Sequence, residues 1–285
     1  MSTASQSPWQ QAWQRLTRSW VTVAAMLLLA LMIMLCVAGP WFSPYGPNDQ
    51  DLDLRAISPT GEHWLGTDPL GRDLATRILH GGRISLLVGV LATAVAAVIG
   101  VGYGLIAGLS GWRTDALMMR IVDVLYAFPF ITFVILLVVI FGRQFVLIFV
   151  AIGAVEWLTM ARVVRGQVLS LKKLEFVHAA RAAGAGFWHI LFKHMLPNVM
   201  GPVIIYASLT VPGVMLLEAT LSFLGLGIQP PDASWGVLIS EGAASMAVYP
   251  WMLVGPSVFF TLTLLALNLL GDGLRDALDP KSARD

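Results

Sequence analysis

Residues 174–198 read LEFVHAARAAGAGFWHILFKHMLPN, a polar, basic segment between apolar stretches long enough to span a membrane. Apolar residues recur at helical spacing on both sides of Gly184. They are Phe176, Ala180 and Ala183 before it, and Phe187, Ile190 and Leu191, followed by His194, after it. The pattern predicts two short amphipathic helices around a glycine turn. Because an apolar stripe outside the membrane needs a cover, we expect a partner protein there, with a helix lying on lipid as the alternative.

The composition places the chain among polytopic membrane proteins. Of its 285 residues 57% are hydrophobic and 12% charged, and the mean hydropathy is +0.75. The net charge of +1 gives no reason to expect a nucleic-acid partner. The single cysteine, Cys36, lies in an apolar run, so a disulfide framework or a cysteine metal cluster is excluded.

The apolar runs predict an all-α membrane protein with six transmembrane helices. The spans are 20–41, 86–109, 121–142, 145–162, 199–221 and 251–270. Around them we expect cytoplasmic tails over 1–19 and 273–285 and an extracytoplasmic segment over 42–85. The remaining residues, 86–272, form a five-helix core. Within this core we expect a cytoplasmic loop at 163–198 and an extracytoplasmic loop at 225–249. A signal peptide is the alternative for the first span, but its apolar core is too long and no small residues precede Cys36. Pro129 predicts a kink in the third span.

Small residues recur every fourth position in the second span, at Ala92, Ala96, Gly100, Gly104 and Gly108. This pattern lets two helices approach closely. It predicts a packing stripe, either within the subunit or against a sister subunit.

Three ionisable residues interrupt the predicted spans, namely Asp123, Glu156 and Glu218. Each costs about 2.5–3.5 kcal/mol at the centre of a membrane helix, so it should face a partner group or water. We expect Asp123 to pair with Arg120. For Glu156 a salt link to Arg162 and Arg165 and a position lining a path are equally favoured, and Glu218 is a candidate for a gate.

The central segment resembles the "EAA" loop of ABC importer permeases, through Ala179-Ala180, Gly184 and Leu196-Pro197. In that family the loop carries the helix that docks on the ATPase subunit. The resemblance therefore implies coupling residues, which are Glu175, Ala179, Ala180, Gly184, Leu196 and Pro197. The sequence departs from the family pattern at His178 and His194.

Two further blocks resemble the dipeptide, oligopeptide and nickel permeases. Residues 66–73 read GTDPLGRD, and residues 218–236 contain EATLSFLGLGIQPP followed by SWG. In the first block Asp68 is a candidate N-cap with Pro69 at the first helical position. In the second, dense Gly and Pro predict irregular backbone that belongs to an outer gate or to an interfacial turn. Residues 145–173 look most like the C-type subunit of oligopeptide permeases.

The resemblance implies a type I importer fold and a set of partners. These are a second, related permease, two ATPase subunits and an extracytoplasmic substrate-binding protein, all at a bacterial plasma membrane. The sequence has no G-x-x-x-x-G-K-[ST] phosphate loop, so we expect ATP and Mg²⁺ to bind the partner subunits, with no cofactor in this chain. The chain is therefore expected to be a transporter subunit rather than an enzyme.

Charge predicts the orientation. Of the 18 Lys and Arg residues, all but Arg55, Arg72, Arg77, Arg83 and Arg143 fall in the tails and loops on one side of the predicted spans. That side should be cytoplasmic, with both termini and residues 163–198.

Two other classes remain as alternatives. A secondary transporter should show paired broken helices in repeated halves, and a membrane enzyme should show converging catalytic groups. The ionisable residues in the spans are too scattered to suggest such a group. Cargo other than peptides, such as nickel, glutathione or antimicrobial peptides, stays open.

Overall fold

In the computed structural model, residues 8–142 and 145–278 are described, and their regular elements are all helices. The helices are α1 Pro8–Arg18, α2 Trp20–Phe42, α3 Leu74–Leu109, α4 Trp112–Tyr126, α5 Phe130–Phe141, α6 Phe145–Leu171, α7 Glu175–Ala182, α8 Phe187–His189, α9 Leu196–Phe223, α10 Trp235–Ser245 and α11 Trp251–Leu278. A 3-10 turn, Leu52–Leu54, and a π-helical segment, Ile190–Met195, complete the set. The predicted all-α class is confirmed.

Several helices are long and apolar enough to cross a membrane, which makes the chain a multi-pass membrane protein. Within the described residues four stretches qualify, and α4 with α5 adds a fifth if the bent pair is one span. The four are Trp20–Phe42, Leu74–Leu109, Phe187–Phe223 and Trp251–Leu278. Helix α6, which carries Glu156, Arg162 and Arg165, is not among them, so the count of six spans stays a prediction.

The N-terminal segment, predicted only as a polar tail, contains the amphipathic helix α1. Its buried residues Ala12 and Leu16 are the contact surface of a helix that packs against α11 and α2. Two buried residues make too short a stripe to stand out in the sequence. Of the predicted tails, residues 1–7 and 279–285, with Lys281 and Arg284, lie outside the described residues.

Helix α3 begins at Leu74, ahead of the predicted start of the second membrane span at residue 86. Its N-cap is Asp73, whose side chain accepts the N–H of Thr76 at 2.8 Å. The prediction of Asp68 as N-cap is wrong, because Asp68 binds two arginine side chains, and Pro69 lies in the turn before the helix. The first turns of α3 contain polar residues that are nevertheless buried, so the helix extends beyond its apolar run.

The kink predicted at Pro129 is present as a complete break. Helix α4 ends at Tyr126, Pro129 is the N-cap of α5, and the two helices meet at 77°. Pro129 has no N–H to continue the ladder, and it disfavours helical backbone in the residue before it. At the other end of the chain, α11 continues as one helix through Leu278.

The small-residue stripe of α3 lies against α6 of the same chain. Ala92 and Ala96 are buried, and added Cβ atoms at Gly100, Gly104 and Gly108 would lie 2.6–2.7 Å from atoms of α6. At Gly104 that atom is the backbone carbonyl oxygen of Ala161. The stripe therefore brings two helices backbone to backbone inside the subunit.

Gly104→Ala is expected to destabilise the protein by about 1–3 kcal/mol, because the new methyl group meets backbone that cannot rotate away. Gly102→Ala is the matched control, since a Cβ there meets nothing within 4 Å and alanine is favoured in a helix by about 0.5–1 kcal/mol. Thermal unfolding of the detergent-solubilised variants measures both. Equal midpoints for the two variants would contradict close packing at this position.

Candidate coupling loop and polar face of the bundle

Helix α7 ends in a left-handed turn at Gly184, where φ is +83°. The N–H of Gly184 donates to the carbonyl of Arg181 at 2.9 Å, and the N–H of Ala185 donates to that of Ala180 at 3.0 Å. This bond pair defines a Schellman cap, and its left-handed residue is usually glycine because a Cβ is strained there. The predicted glycine turn between two short helices is present.

The loop is anchored to the bundle by apolar side chains that point inward. Val177, Ile190, Leu191 and Met195 are buried and join a core cluster with Val164 and other residues of α3, α6 and α9. The stripe predicted to need a partner is thus partly covered by the chain itself, at Ile190 and Leu191. A rigid attachment of this kind suits a loop that transmits force.

The outward side of the loop forms an open concavity of ≈ 500 Å³. Small residues and rings line it, namely Phe176, Ala179, Ala180, Ala183, Gly184, Ala185, His189 and His194. Beside it, the rings of Trp188 and Phe192 stack with centroids 6.0 Å apart and are 61% and 59% exposed. A concavity with a floor of small residues and an exposed aromatic edge can accept a projecting element of another protein.

The predicted coupling residues occupy three places. Ala179, Ala180 and Gly184 line the concavity. Glu175 lies in the first turn of α7. Leu196 and Pro197 begin α9 directly after the π-helical segment.

The π-helical segment Ile190–Met195 joins the loop to α9 without a break. Pro197 has no N–H to donate to the residue four positions earlier, and its ring crowds that carbonyl. A wider π turn relieves this conflict. The part of the loop after the glycine turn and α9 therefore form one continuous helical rod, Phe187–Phe223.

On the opposite end of the bundle, the GTDPLGRD block folds around the buried carboxylate of Asp68. Its Oδ2 accepts from Arg72 Nε and from Arg77 at 2.6 Å each, and its Oδ1 accepts the N–H groups of Leu70 and Arg72. Arg77 also reaches Glu241 of α10 at 3.1 Å. The block is therefore a structural hub that ties the start of α3 to α10.

Glu218 lies fully buried between α9 and α10. Its Oε1 accepts the hydroxyls of Ser222 at 2.8 Å and Ser234 at 2.6 Å. Ser234 also caps α10, accepting the N–H of Val237 at 3.2 Å. The carboxyl group thus holds α10 on α9 inside this subunit, and its role as a gate stays a prediction.

Trp235 completes this junction. It is fully buried, its N–H donates to the hydroxyl of Ser85 at 3.0 Å, and its Nε1 donates to the carbonyl of Ile78 at 2.8 Å. Gly82 lies under the indole, because a Cβ there would come within 2.5 Å of the ring. The block 218–236 therefore packs α10 on α3 and α9, and the SWG motif is explained by packing.

Two ion pairs join α4 to α6. Arg165 donates two hydrogen bonds to the carboxylate of Asp115, at 2.5 and 2.7 Å. Arg162 donates one hydrogen bond to Asp123, at 2.9 Å. The prediction that Asp123 pairs with Arg120 is therefore wrong. Of the two alternatives for Glu156, the salt link to Arg162 and Arg165 is absent from the described residues, since both arginines pair with aspartates of α4.

These features define a class of protein. A multi-pass helical bundle carries an anchored loop with an open concavity at one end, and a buried, hydrogen-bonded junction at the other. Such a bundle is typical of the class of multi-pass membrane permeases.

The chain belongs to the family of binding-protein-dependent transport system inner membrane components, whose family model matches residues 100–284. A second model, the N-terminal transmembrane domain of oligopeptide transport permease C, matches residues 7–59. The chain is 51% identical to the oligopeptide transport system permease protein OppC of Haemophilus influenzae, over 99% of this chain and 91% of that protein. It is 48% identical to OppC of Escherichia coli, covering 96% and 92%, and 46% identical to the dipeptide transport system permease protein DppC of Bacillus subtilis, covering 96% and 86%. The chain is accordingly a transporter component and not an enzyme.

Proposed function

We propose that this permease subunit moves peptides into the cell as part of an ATP-driven importer. The observation that carries the proposal is the outward concavity around Gly184, which is continuous through the π-helical segment with α9. Docking there places α9 under direct control of a partner. A chain without a phosphate-loop sequence needs such a partner to use ATP.

The assembly follows from the family. Two ATPase subunits bind ATP and Mg²⁺ and dock at the concavity, a second permease completes the path, and an extracytoplasmic binding protein delivers cargo. Helices α2, α3, α4 with α5, α6, α9 and α11 are the six spans, and the Lys and Arg bias places the coupling loop and both termini in the cytoplasm. Asp123 and Glu156 line the path, and Glu218 secures the outer gate by holding α10 on α9.

Peptides are the cargo favoured by the relatives, whose names specify oligopeptides and dipeptides. A glutathione transport system permease of Pectobacterium atrosepticum is 43% identical over 96% of this chain. Glutathione is itself a peptide, so it falls in the same chemical class. Nickel, antimicrobial peptides and secondary transport are the remaining alternatives.

The mechanism uses the helical rod. When the ATPase subunits close on ATP, they move α7 and the concavity, and the anchoring residues Val177, Ile190, Leu191 and Met195 carry that motion into α6 and α9. Tilting α9 moves α10 with it, because Glu218 and Ser234 join them. The path then opens to alternate sides of the membrane.

Uptake tests the proposal directly. Cells that lack the gene should lose uptake of labelled di-, tri- or pentapeptides and regain it on complementation, and the purified subunit should carry ATPase chains with it. Unchanged peptide uptake in the deletion strain would refute peptide cargo. Purification without any ATPase chain would refute the importer assignment.

A further inference from the structure

The side of α6 that is not packed on α3 carries polar residues at helical spacing. Glu156, Thr159 and Arg162 follow one another at intervals of three residues, and Ser170 continues the line near the helix end. Glu156 and Thr159 are half-buried, and the Arg162 side chain is 41% exposed. Thr159 has polar partners in Tyr206 of α9 and Tyr126 of α4. Lipid disfavours such a polar line, so its exposed part at Arg162 faces water or a polar partner.

Helix α4 faces this line and stands away from the rest of the bundle, since Asp115 and Val122 are its buried residues. Asp123 is 55% exposed and meets Arg162 at 2.9 Å. The Arg162 guanidinium lies 4.5 Å above the ring of Tyr126. Charge, aromatic surface and exposure therefore coincide at one place between α4 and α6.

The pair of Asp123 and Arg162 differs from the neighbouring pair of Asp115 and Arg165. Arg165 is bidentate and Asp115 is buried, as expected for a structural link. Arg162 uses one nitrogen, and an exposed pair of this kind contributes only about 0–1 kcal/mol in water. The bond between Asp123 and Arg162 can thus be broken at little cost in free energy, and each residue can then bind another charged group.

An apolar cavity of ≈ 170 Å³ lies at the break between α4 and α5, about two turns of α6 away from Arg162. Its lining residues are Leu125, Phe128, Phe130, Phe133, Ala154 and Val155, at the break between α4 and α5 and on α6. Leu125 directly precedes Tyr126, and Val155 directly precedes Glu156. Opposite charges and an apolar cavity thus follow each other along the same two helices.

We propose that Asp123 and Arg162 form a hydrated station of the cargo path, which takes the amino and carboxyl groups of a zwitterionic peptide while the cavity at the break between α4 and α5 takes an apolar side chain. An arginine fork suits a carboxylate, and an aspartate suits an ammonium group. The proposal rests on the proposed function for the identity of the cargo. Whether this face is hydrated can be measured independently of uptake.

Thiol labelling provides that measurement, because the one native cysteine, Cys36, is fully buried. Thr159→Cys and Arg162→Cys in the nucleotide-free assembled transporter should react with a hydrophilic, membrane-impermeant thiol reagent added from the cytoplasmic side. Ala161→Cys, at a buried position, and Val98→Cys, at a position 76% exposed on an apolar face, are the controls and should not react. If Thr159→Cys resists this reagent, the face is covered by the second permease or by lipid and the proposal fails.

Protection by cargo tests the charge chemistry. Saturating trialanine from the cytoplasmic side should slow labelling of Thr159→Cys by at least about tenfold, because the thiol cannot react while trialanine occupies the site. Trialanine with an acetylated amino terminus and an amidated carboxyl terminus should not protect. Equal protection by both peptides, or by neither, overturns the proposal. This comparison bypasses the binding protein.

Transport gives the functional readout. Asp123→Asn and Arg162→Gln should each reduce peptide uptake by about tenfold or more, the effect of losing one hydrogen bond to a charged group. The amount of transporter in the membrane should be unchanged. Asp115→Asn should instead lower the amount of transporter. Normal uptake with Arg162→Gln refutes the station, whereas absent uptake with the unaltered transporter refutes the proposed function itself.

Discussion

Gly184→Trp is expected to abolish peptide uptake while the subunit stays in the membrane at normal amounts. Gly184 has φ +83°, where a side chain costs about 1–2 kcal/mol of backbone strain. Its position opens into the coupling concavity, with nothing within 4 Å of an added Cβ. An indole there would occupy the space that the docking partner needs. Uptake of a labelled tripeptide, with immunoblotting of membranes, measures the effect.

Gly186 supplies the matched control. It also has open space around it, but its φ of −73° is accessible to every residue. Gly184→Ala should therefore reduce uptake several-fold, because about 1 kcal/mol of backbone strain lowers the population of the native turn by a factor of about five. Gly186→Ala should leave uptake near normal. Normal transport with Gly184→Trp would count against the coupling assignment.

The parts of the fold that were predictable from sequence are those governed by local rules. The turn at Gly184 was visible because a left-handed cap favours glycine, and the break at Pro129 because proline cannot continue the helical ladder. The stripe from Ala92 to Gly108 was visible because small residues at a four-residue interval permit close helix packing. The partner helix, α6, was not predictable, since the stripe carries no information about what packs on it.

Sequence-based predictions fail where a charged or polar residue has a partner that is distant in the sequence. Asp123 has Arg120 three residues before it, yet the structure pairs it with Arg162 on another helix. The apolar run at 86–109 does not reveal that α3 already begins at Leu74, because Thr76 and Arg77 are polar and nevertheless buried with partners. Such partners come together only in the folded chain, and a local hydropathy average treats them as solvent-exposed.

The candidate site divides in the same way. The concavity residues Ala179, Ala180 and Gly184 were identified from a short motif whose members lie within one helical hairpin. The sequence predicts only one member of the face formed by Asp123 and Arg162. Asp123 stands out as an ionisable residue in a span, whereas the spacing along α6 makes Arg162 a candidate partner of Glu156. A span that carries both signs of charge at helical spacing is the signal that points to such a face.

Asp68→Ala is expected to cause the largest loss of stability in the chain. Asp68 is fully buried and accepts from Arg72 and from Arg77, whose side chains are 9% and 4% exposed. Removing the carboxylate leaves buried positive charge without its main partner, which costs about 3–5 kcal/mol. The unfolding midpoint of the solubilised subunit should fall by at least about 6 °C. Less protein should also reach the membrane.

Glu241→Ala separates this effect from the general loss of an ion pair. Glu241 also binds Arg77, at 3.1 Å, but its side chain is 36% exposed. Its removal should cost about 1 kcal/mol or less, because Arg77 keeps Asp68 and the lost pair is accessible to solvent. If both substitutions lowered the unfolding midpoint equally, the carboxylate of Asp68 would not be the centre of the junction between α3 and α10. The GTDPLGRD block would then need an explanation outside the stability of this subunit.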